Sequence, residues 1–276
     1  MDRQALICRN ILEKPDITQR EMAKNMDISL GTVNGLVKEC LAEGYIAEKE
    51  NGKEKHLILL EKGKELLKPY KVDGALIIAA GFGSRFVPLT FETPKGLLEV
   101  FGERMIERQI KQLHEVGIYD ITIAVGYLKE KFEYLIDKFD VKLLYNPEYS
   151  CKNTLATVYR ARKFLKGRNV YILSSDNWMR ENMYHSYECG AWYSAAHEEG
   201  ETKEWCLTFN KKGRISDVNV GGKDAWFMYG PVYLSREFSA RFLPVLEAYY
   251  QIPGTEQFYW EQVYVDMLSG EARRRL

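Results

Sequence analysis

Between Ala79 and Lys95 the chain reads Ala79-Ala80-Gly81-Phe82-Gly83-Ser84-Arg85, then Pro88-Leu89-Thr90 and Thr93-Pro94-Lys95. Glycines at 81 and 83 let backbone N–H groups approach phosphate oxygens, and Arg85 and Lys95 supply the positive charge a triphosphate needs. The string is not a Walker A loop, because G-x-x-x-x-G-K-[ST] is absent. Nor is it the full dinucleotide fingerprint, since Phe86 stands at the third glycine position. Taken alone, a G-x-G is equally a tight turn after a strand. Farther on, Ser174-Ser175-Asp176-Asn177 follows the apolar run Val170 to Leu173, where Asp176 is either a site carboxylate or part of an Asp-Asn turn.

The residues that must position these groups alternate between strand and helix grammar. Ala75 to Ala80 is a continuous apolar run of the kind found in buried parallel strands. The pattern then predicts a helix over Met105 to Val116, a strand over Ile121 to Val125, a helix over Lys129 to Phe139 and a strand over Val141 to Tyr145. A helix over Thr154 to Leu165 and the strand Val170 to Leu173 follow. Such a succession predicts an α/β fold, a mostly parallel Rossmann-like sheet with helices on both faces over residues 71–276. Ligands in such sheets bind at the carboxyl ends of the strands, where both motifs lie.

Residues 1–70 follow a different grammar. Thr18 is placed to cap a helix with Glu21 at the capping-box position, a second helix begins near Leu30, and Gly44 stops it. The segments Tyr45 to Glu48 and His56 to Leu60 flank a charged tip in which Asn51-Gly52 signals a hairpin. This order, and the string TQREMAKNMDISLGTVNGLVKECLAEGYI, resembles the bacterial regulator-type winged helix-turn-helix. A winged helix binds DNA by laying its second helix in the major groove. Here that helix offers Ser29, Thr32, Asn34 and Lys38, and the wing's Lys49, Lys53 and Lys55 are diluted by Glu48, Glu50 and Glu54. DNA binding and a regulatory interaction module therefore stand as equal alternatives.

Lys+Arg 39 against Asp+Glu 39 over 276 residues leaves no net charge, which argues against a protein held to nucleic acid by bulk electrostatics. The five cysteines are widely spaced, with no C-x-x-C pair or zinc spacing, and read as reduced thiols. The start Met1-Asp2-Arg3 lacks the apolar core of a signal peptide, and no apolar run exceeds strand length, so a cytoplasmic protein is expected. Trp192, Trp205, Trp226, Tyr229, Tyr233, Tyr259 and Trp260 crowd the last third, interleaved with Glu198, Glu204 and Glu261. Several rings can hold a quaternary ammonium by cation–π contact, whereas a sugar site calls for more amides and acids. Each ring by itself is as well explained as core.

The whole string AAGFGSRFVPLTFETPKGLLEV resembles the signature of nucleotidyltransferases that activate sugar phosphates and related phosphoesters. VGYLKEKFEYL, KEWCLTFNKKGRISDVNVGGKDAWFMYGPVYLS and FYWEQV look like the bacterial CTP:phosphocholine cytidylyltransferases. The resemblance implies transfer of a cytidylyl group from CTP to phosphocholine, giving CDP-choline and pyrophosphate with Mg²⁺ and no protein nucleophile. It implies that Ala80, Gly81, Gly83 and Ser84 wrap the nucleotide phosphates, that Arg85 neutralises the leaving pyrophosphate and that Lys95 holds the incoming phosphate. It puts Mg²⁺ on Asp176 with Glu261 as second ligand, and base contacts at Gly126, Tyr127, Asn153 and Thr154. It makes Trp205, Tyr259 and Trp260 walls of a choline cage, with Tyr233 a further candidate. This chain departs from the pattern at Ser174, where relatives commonly have the first of two aspartates, and at Glu261, where they often have Asp. It also ends at Glu271-Ala272-Arg273-Arg274-Arg275-Leu276, short of where relatives continue. A sugar-1-phosphate nucleotidylyltransferase, and a ligand-sensing transcriptional regulator with a decayed transferase domain, remain as alternative readings.

Overall fold

The computed structural model of the protein describes residues 2–51 and 54–275, which divide into two compact units. One comprises the residues up to Lys71 together with Tyr187–Gly190, and the other Val72–Ser186 with Ala191 onward.

In the first unit Asp2 caps helix α1 (Arg3–Glu13) by accepting from the N–H groups of Gln4 and Ala5. The capping box of α2 (Gln19–Asn25) has both bonds in place: Glu21 N–H to Thr18 Oγ1, and Thr18 N–H to Glu21 Oε2. Ser29 caps α3 (Leu30–Ala42), and β1 (Ile46–Asn51) pairs antiparallel with β2 (Glu54–Leu59) before α4 (Glu61–Leu67). This is the helix-turn-helix and wing that the sequence predicts. Gly52 and Lys53 of the wing tip lie outside the described residues. Ile7, Met22, Val33, Val37 and Ile46 form the core, joined by Cys189, while Arg9 pairs with Glu188 at 2.8 Å.

The second unit is built on a six-stranded sheet. Its first strand is β3 (Gly74–Ala79), followed by a two-stranded ribbon β4 (Glu99–Val100) and β5 (Glu103–Arg104), then α5 (Met105–Glu115) and β6 (Ile121–Val125). After α6 (Tyr134–Phe139) come β7 (Lys142–Tyr145), α7 (Thr154–Arg160), α8 (Arg162–Leu165) and β8 (Val170–Ser174). The long strands β9 (Trp192–Phe209) and β10 (Ile215–Leu234) precede α9 (Arg236–Gln251), α10 (Trp260–Ser269) and α11 (Ala272–Arg275). Strands β7, β6, β3 and β8 run parallel, β10 is antiparallel to β8, and β9 is antiparallel to β10. Ile106, Ile110 and Leu113 of α5 pack one face of the sheet with Phe132 and Leu135, and Leu155, Phe242, Leu246 and Val263 pack the other.

Two predicted helices are shorter than their patterns. Leu128 adopts φ +48°, so the segment after it opens as a 3₁₀ turn over Lys129–Phe132, leaving α6 only Tyr134–Phe139. The helix from Thr154 breaks at Ala161, which caps α7 and starts α8. The β9–β10 ribbon was not evident from alternation, because register shifts interrupt its pairing repeatedly. No helix among the described residues is long and apolar enough to cross a membrane.

Candidate active site

The glycine loop leaves the carboxyl end of β3 and folds back through short 3₁₀ turns at Ser84–Phe86, Leu89–Phe91 and Lys95–Leu97. Gly83 makes the reversal at φ +64°, and a Cβ there would lie 3.0 Å from Thr90 Cγ2 and 3.3 Å from Lys95 Cβ. Thr90 Oγ1 donates to the Gly83 carbonyl at 3.0 Å and locks the fold-back. The loop thereby brings Lys95 alongside Asp176, at the end of the neighbouring strand β8, and the two form an ion pair. The Lys95 ammonium also sits 4.4 Å from the centre of the Phe86 ring.

Arg85, Lys95, Asp176 and Asn177 line one side of a cavity of about 1070 Å³. Its other lining includes Glu198, Glu201, Lys203 and Glu204 from β9, with Phe227 and Tyr229 from β10. Cations from one wall can neutralise phosphates, and carboxylates with rings from the other can meet a positive group. Glu201, Phe86 and Phe227 were missed in the sequence, although Phe227 and Tyr229 are spaced to share one face of a strand.

The predicted base-contact residues divide. Gly126 lies against the loop: a Cβ there would fall 2.7 Å from the Ala80 carbonyl oxygen and 2.6 Å from Tyr149 Cβ. Tyr127 N–H donates to Ala80 O at 3.1 Å, and its hydroxyl donates to Phe91 O at 2.9 Å. Phe82 packs on both Tyr127 and Tyr149, with ring centres 5.1 and 5.3 Å apart. Asn153 and Thr154 are engaged in caps. Asn153 Oδ1 accepts from Thr154 N–H and its amide donates to Gln257 O, while Thr154 Oγ1 accepts from Trp260 N–H at 3.1 Å. Those side chains hold α7 to the start of α10.

The expected choline cage is not assembled around Lys95. Tyr233 is fully buried against Tyr171 and Trp192, and Trp260 is buried against Tyr193 and Phe242, so both are core. Trp205 and Tyr259 do meet edge to face at 6.1 Å. Successive residues of a strand face opposite sides, and Trp205 turns away from the side of Glu204 to pack with Leu207, Val218 and Met228.

Glu261 lines a second, smaller cavity of about 110 Å³ with Trp192, Tyr193, Tyr233, Trp260 and Tyr264. Its Oε1 accepts from the Tyr193 hydroxyl at 3.1 Å, and its Oε2 is buried with no hydrogen-bond partner among the described residues. Burial pushes the carboxyl up to about 7, against smaller lowering from hydrogen bonds with its own backbone and Tyr193. The two predicted metal ligands thus line different cavities. Among the described residues no three His, Cys, Asp or Glu are grouped to hold a metal. Asp176 alone still suits Mg²⁺ carried by a nucleotide, since that ion takes few carboxylates and draws its other ligands from phosphates and water.

Residues 74–198 match the nucleotidyl transferase family, and residues 6–47 match the winged helix-turn-helix DNA-binding family. A choline-phosphate cytidylyltransferase of Streptococcus pneumoniae is 32% identical over 72% of this chain and 90% of its own length. A 2-aminoethylphosphonate cytidylyltransferase of Lancefieldella rimae is 34% identical over 68% of this chain and 78% of its own. The solved structure of the CTP:phosphocholine cytidylyltransferase from Streptococcus pneumoniae superposes with a TM-score of 0.69, covering 72% of this chain and 86% of that one.

Proposed function

The chain belongs to the nucleotidyltransferase family that includes the choline-phosphate cytidylyltransferases, and we propose that it transfers the cytidylyl group of CTP to phosphocholine, releasing pyrophosphate. The observation that carries this reading is the single cavity in which Arg85, Lys95 and Asp176 share walls with Glu198, Glu201, Glu204, Phe227 and Tyr229. An oxygen of phosphocholine attacks the α-phosphorus of CTP and the bond to pyrophosphate breaks. Two anions must approach, so catalysis rests on alignment and charge neutralisation. Lys95 holds the incoming phosphate in line, and Arg85 meets the charge that builds on the leaving pyrophosphate. Gly81 and Gly83 present backbone N–H groups to the triphosphate, flanked by Ala80 and Ser84. Gly126 and Tyr127 border the base. Mg²⁺, held by Asp176, supplies further neutralisation of the triphosphate when bound.

Only two carbons separate the phosphate ester oxygen from the nitrogen of phosphocholine. The groups that hold the cation must therefore line the same cavity as Lys95, which favours Phe227 and Tyr229 with the three glutamates over the buried Tyr233 and Trp260. Rings serve a trimethylammonium, which donates no hydrogen bond, while carboxylates serve either a trimethylammonium or a primary ammonium. The test is to incubate the protein with CTP and Mg²⁺ and follow pyrophosphate with phosphocholine, 2-aminoethylphosphonate or glucose-1-phosphate. Turnover of phosphocholine above the others is expected, and turnover of the sugar phosphate alone overturns the reading.

The N-terminal unit supports a second activity, duplex DNA binding through α3, whose exposed residues include Gly31, Asn34, Gly35 and Lys38, with Glu39 beside the lysine. With one lysine among them, the dependence of affinity on salt should be shallow. Retention of labelled duplex by the wild type and its loss in Asn34→Ala and Lys38→Ala is the check; equal retention by all three overturns it. Both activities, and the five free cysteines, fit a cytoplasmic protein.

A further inference from the structure

Gln109 lies on α5, on the stripe that Ile106, Ile110 and Leu113 bury against the sheet, and is itself fully buried. An apolar residue would be the ordinary occupant of such a position. Instead, its amide donates one hydrogen to Ser174 O at 3.0 Å and the other to Asn177 O at 2.8 Å. These carbonyls bracket Asp176. Gln109 Oε1 is buried with no hydrogen-bond partner among the described residues, so the amide is kept there for its two donors. The same turn is tied to β3 by Ser175 N–H to Ile78 O at 3.0 Å. It is also pressed by Gly96, where a Cβ would fall 2.6 Å from Ser175 Cβ. Gly96 directly follows Lys95, so one short turn is clamped between α5, the central strand and the lysine that pairs with its carboxylate.

We infer that Gln109 is a positioning residue for the transfer reaction: its amide fork sets the Ser174–Asn177 turn and so aims Asp176 at the nucleotide's metal. The inference rests on the reading of Asp176 given above. Only a side chain with two divergent donors of this reach can make the fork. Methionine matches its length and donates nothing, and glutamate matches its shape but brings acceptors against two carbonyl oxygens. Gln112, one turn farther along α5, donates to Met179 O at 3.1 Å and provides a control for general loosening of the segment.

The experiment measures binding of Mn²⁺·CTP to full-length protein by water-proton relaxation, without phosphocholine, for the wild type, Gln109→Met, Gln109→Glu and Gln112→Met. Turnover is measured in parallel. The expected result is at least tenfold weaker Mn²⁺·CTP binding and at least tenfold lower kcat in both Gln109 variants. KM for phosphocholine should stay within about threefold, and Gln112→Met should match the wild type. Wild-type Mn²⁺·CTP affinity in a folded Gln109 variant overturns the inference, as does an equal loss in Gln112→Met. If Gln109→Met does not fold, Gln109→Glu decides by the same criterion. A wild type that binds Mn²⁺·CTP but turns over no phosphocholine defeats the substrate reading and leaves the Gln109 comparison intact. A wild type that binds no Mn²⁺·CTP defeats the assignment of Asp176, and this inference with it.

Discussion

Lys95 and Asp176, 81 positions apart in the chain, meet as an ion pair at the carboxyl ends of the adjacent parallel strands β3 and β8. Each is only partly exposed, with 22% and 26% of its side chain accessible. A pair this close to solvent contributes little to stability, about 0–1 kcal/mol, which fits the proposed roles of the two groups toward phosphate and metal better than a role in holding the fold. Lys95→Ala and Asp176→Asn should each lower kcat/KM by about 10²–10³-fold, the usual cost of a lost charge-stabilising group. The thermal midpoint should move by no more than a few degrees. A large fall in melting temperature with activity per folded molecule preserved would contradict the assignment.

Gly83 carries the fold-back that makes this meeting possible. Alanine there must adopt φ +64° at a cost of about 1–2 kcal/mol. Its methyl would also press on Thr90 and on the stem of Lys95. Gly83→Ala is expected to raise KM for CTP at least tenfold, and a kinetically silent Gly83→Ala would show that the loop is not the nucleotide cradle. Among the described residues nothing beyond its chain neighbours lies within 4 Å of a Cβ built on Gly81, so Gly81→Ala should fold normally and report only on the bound phosphate.

Glu261 predicts a stability difference that depends on pH. Its carboxyl rises from 4.5 toward about 7 on folding, with burial the largest cause. Between those values the folded protein keeps a proton that the unfolded chain has released, so stability falls as pH rises through that window. Glu261→Gln keeps an acceptor for the Tyr193 hydroxyl and removes the titration. It should match the wild type below about pH 4.5 and exceed it by on the order of 1–3 kcal/mol at pH 8. Urea melts at both pH values check this, and equal stabilities at pH 8 would rule it out.

Among the rings, exposure separates candidates for ligand contact from core. Tyr229 lines the large cavity and is 56% exposed, whereas Tyr233 is fully buried. Tyr229→Ala should raise KM for phosphocholine about 2–30-fold, as a cation–π contact of 0.5–2 kcal/mol requires, with KM for CTP unchanged. Tyr233→Ala should instead cost about 3–5 kcal/mol of stability with no selective effect on either substrate. A loss shared equally between the two substrates in Tyr229→Ala would make that ring structural.

The parts of the fold legible in the sequence are those whose signals are local. Thr18 and Glu21 are three residues apart and cap one helix; the apolar run Ala75 to Ala80 marks the central strand, which spans Gly74–Ala79. The glycine loop with Arg85 and Lys95 is equally local, and the family resemblance rested on it. The β9–β10 ribbon was not legible because its bulges break the alternation that betrays a strand.

What the sequence by itself determined, then, was the winged-helix grammar, the α/β succession and a glycine loop whose whole string resembles the nucleotidyltransferases, since each is carried by neighbours close in the chain. Tertiary structure alone decided which carboxylate pairs with Lys95, that Glu261 faces an apolar cavity, that Tyr233 and Trp260 are core, and that Gln109 braces the turn around Asp176. Burial and hydrogen-bond partnership are set by segments tens of residues away that pack against a side chain, and no local spacing encodes which of them will arrive.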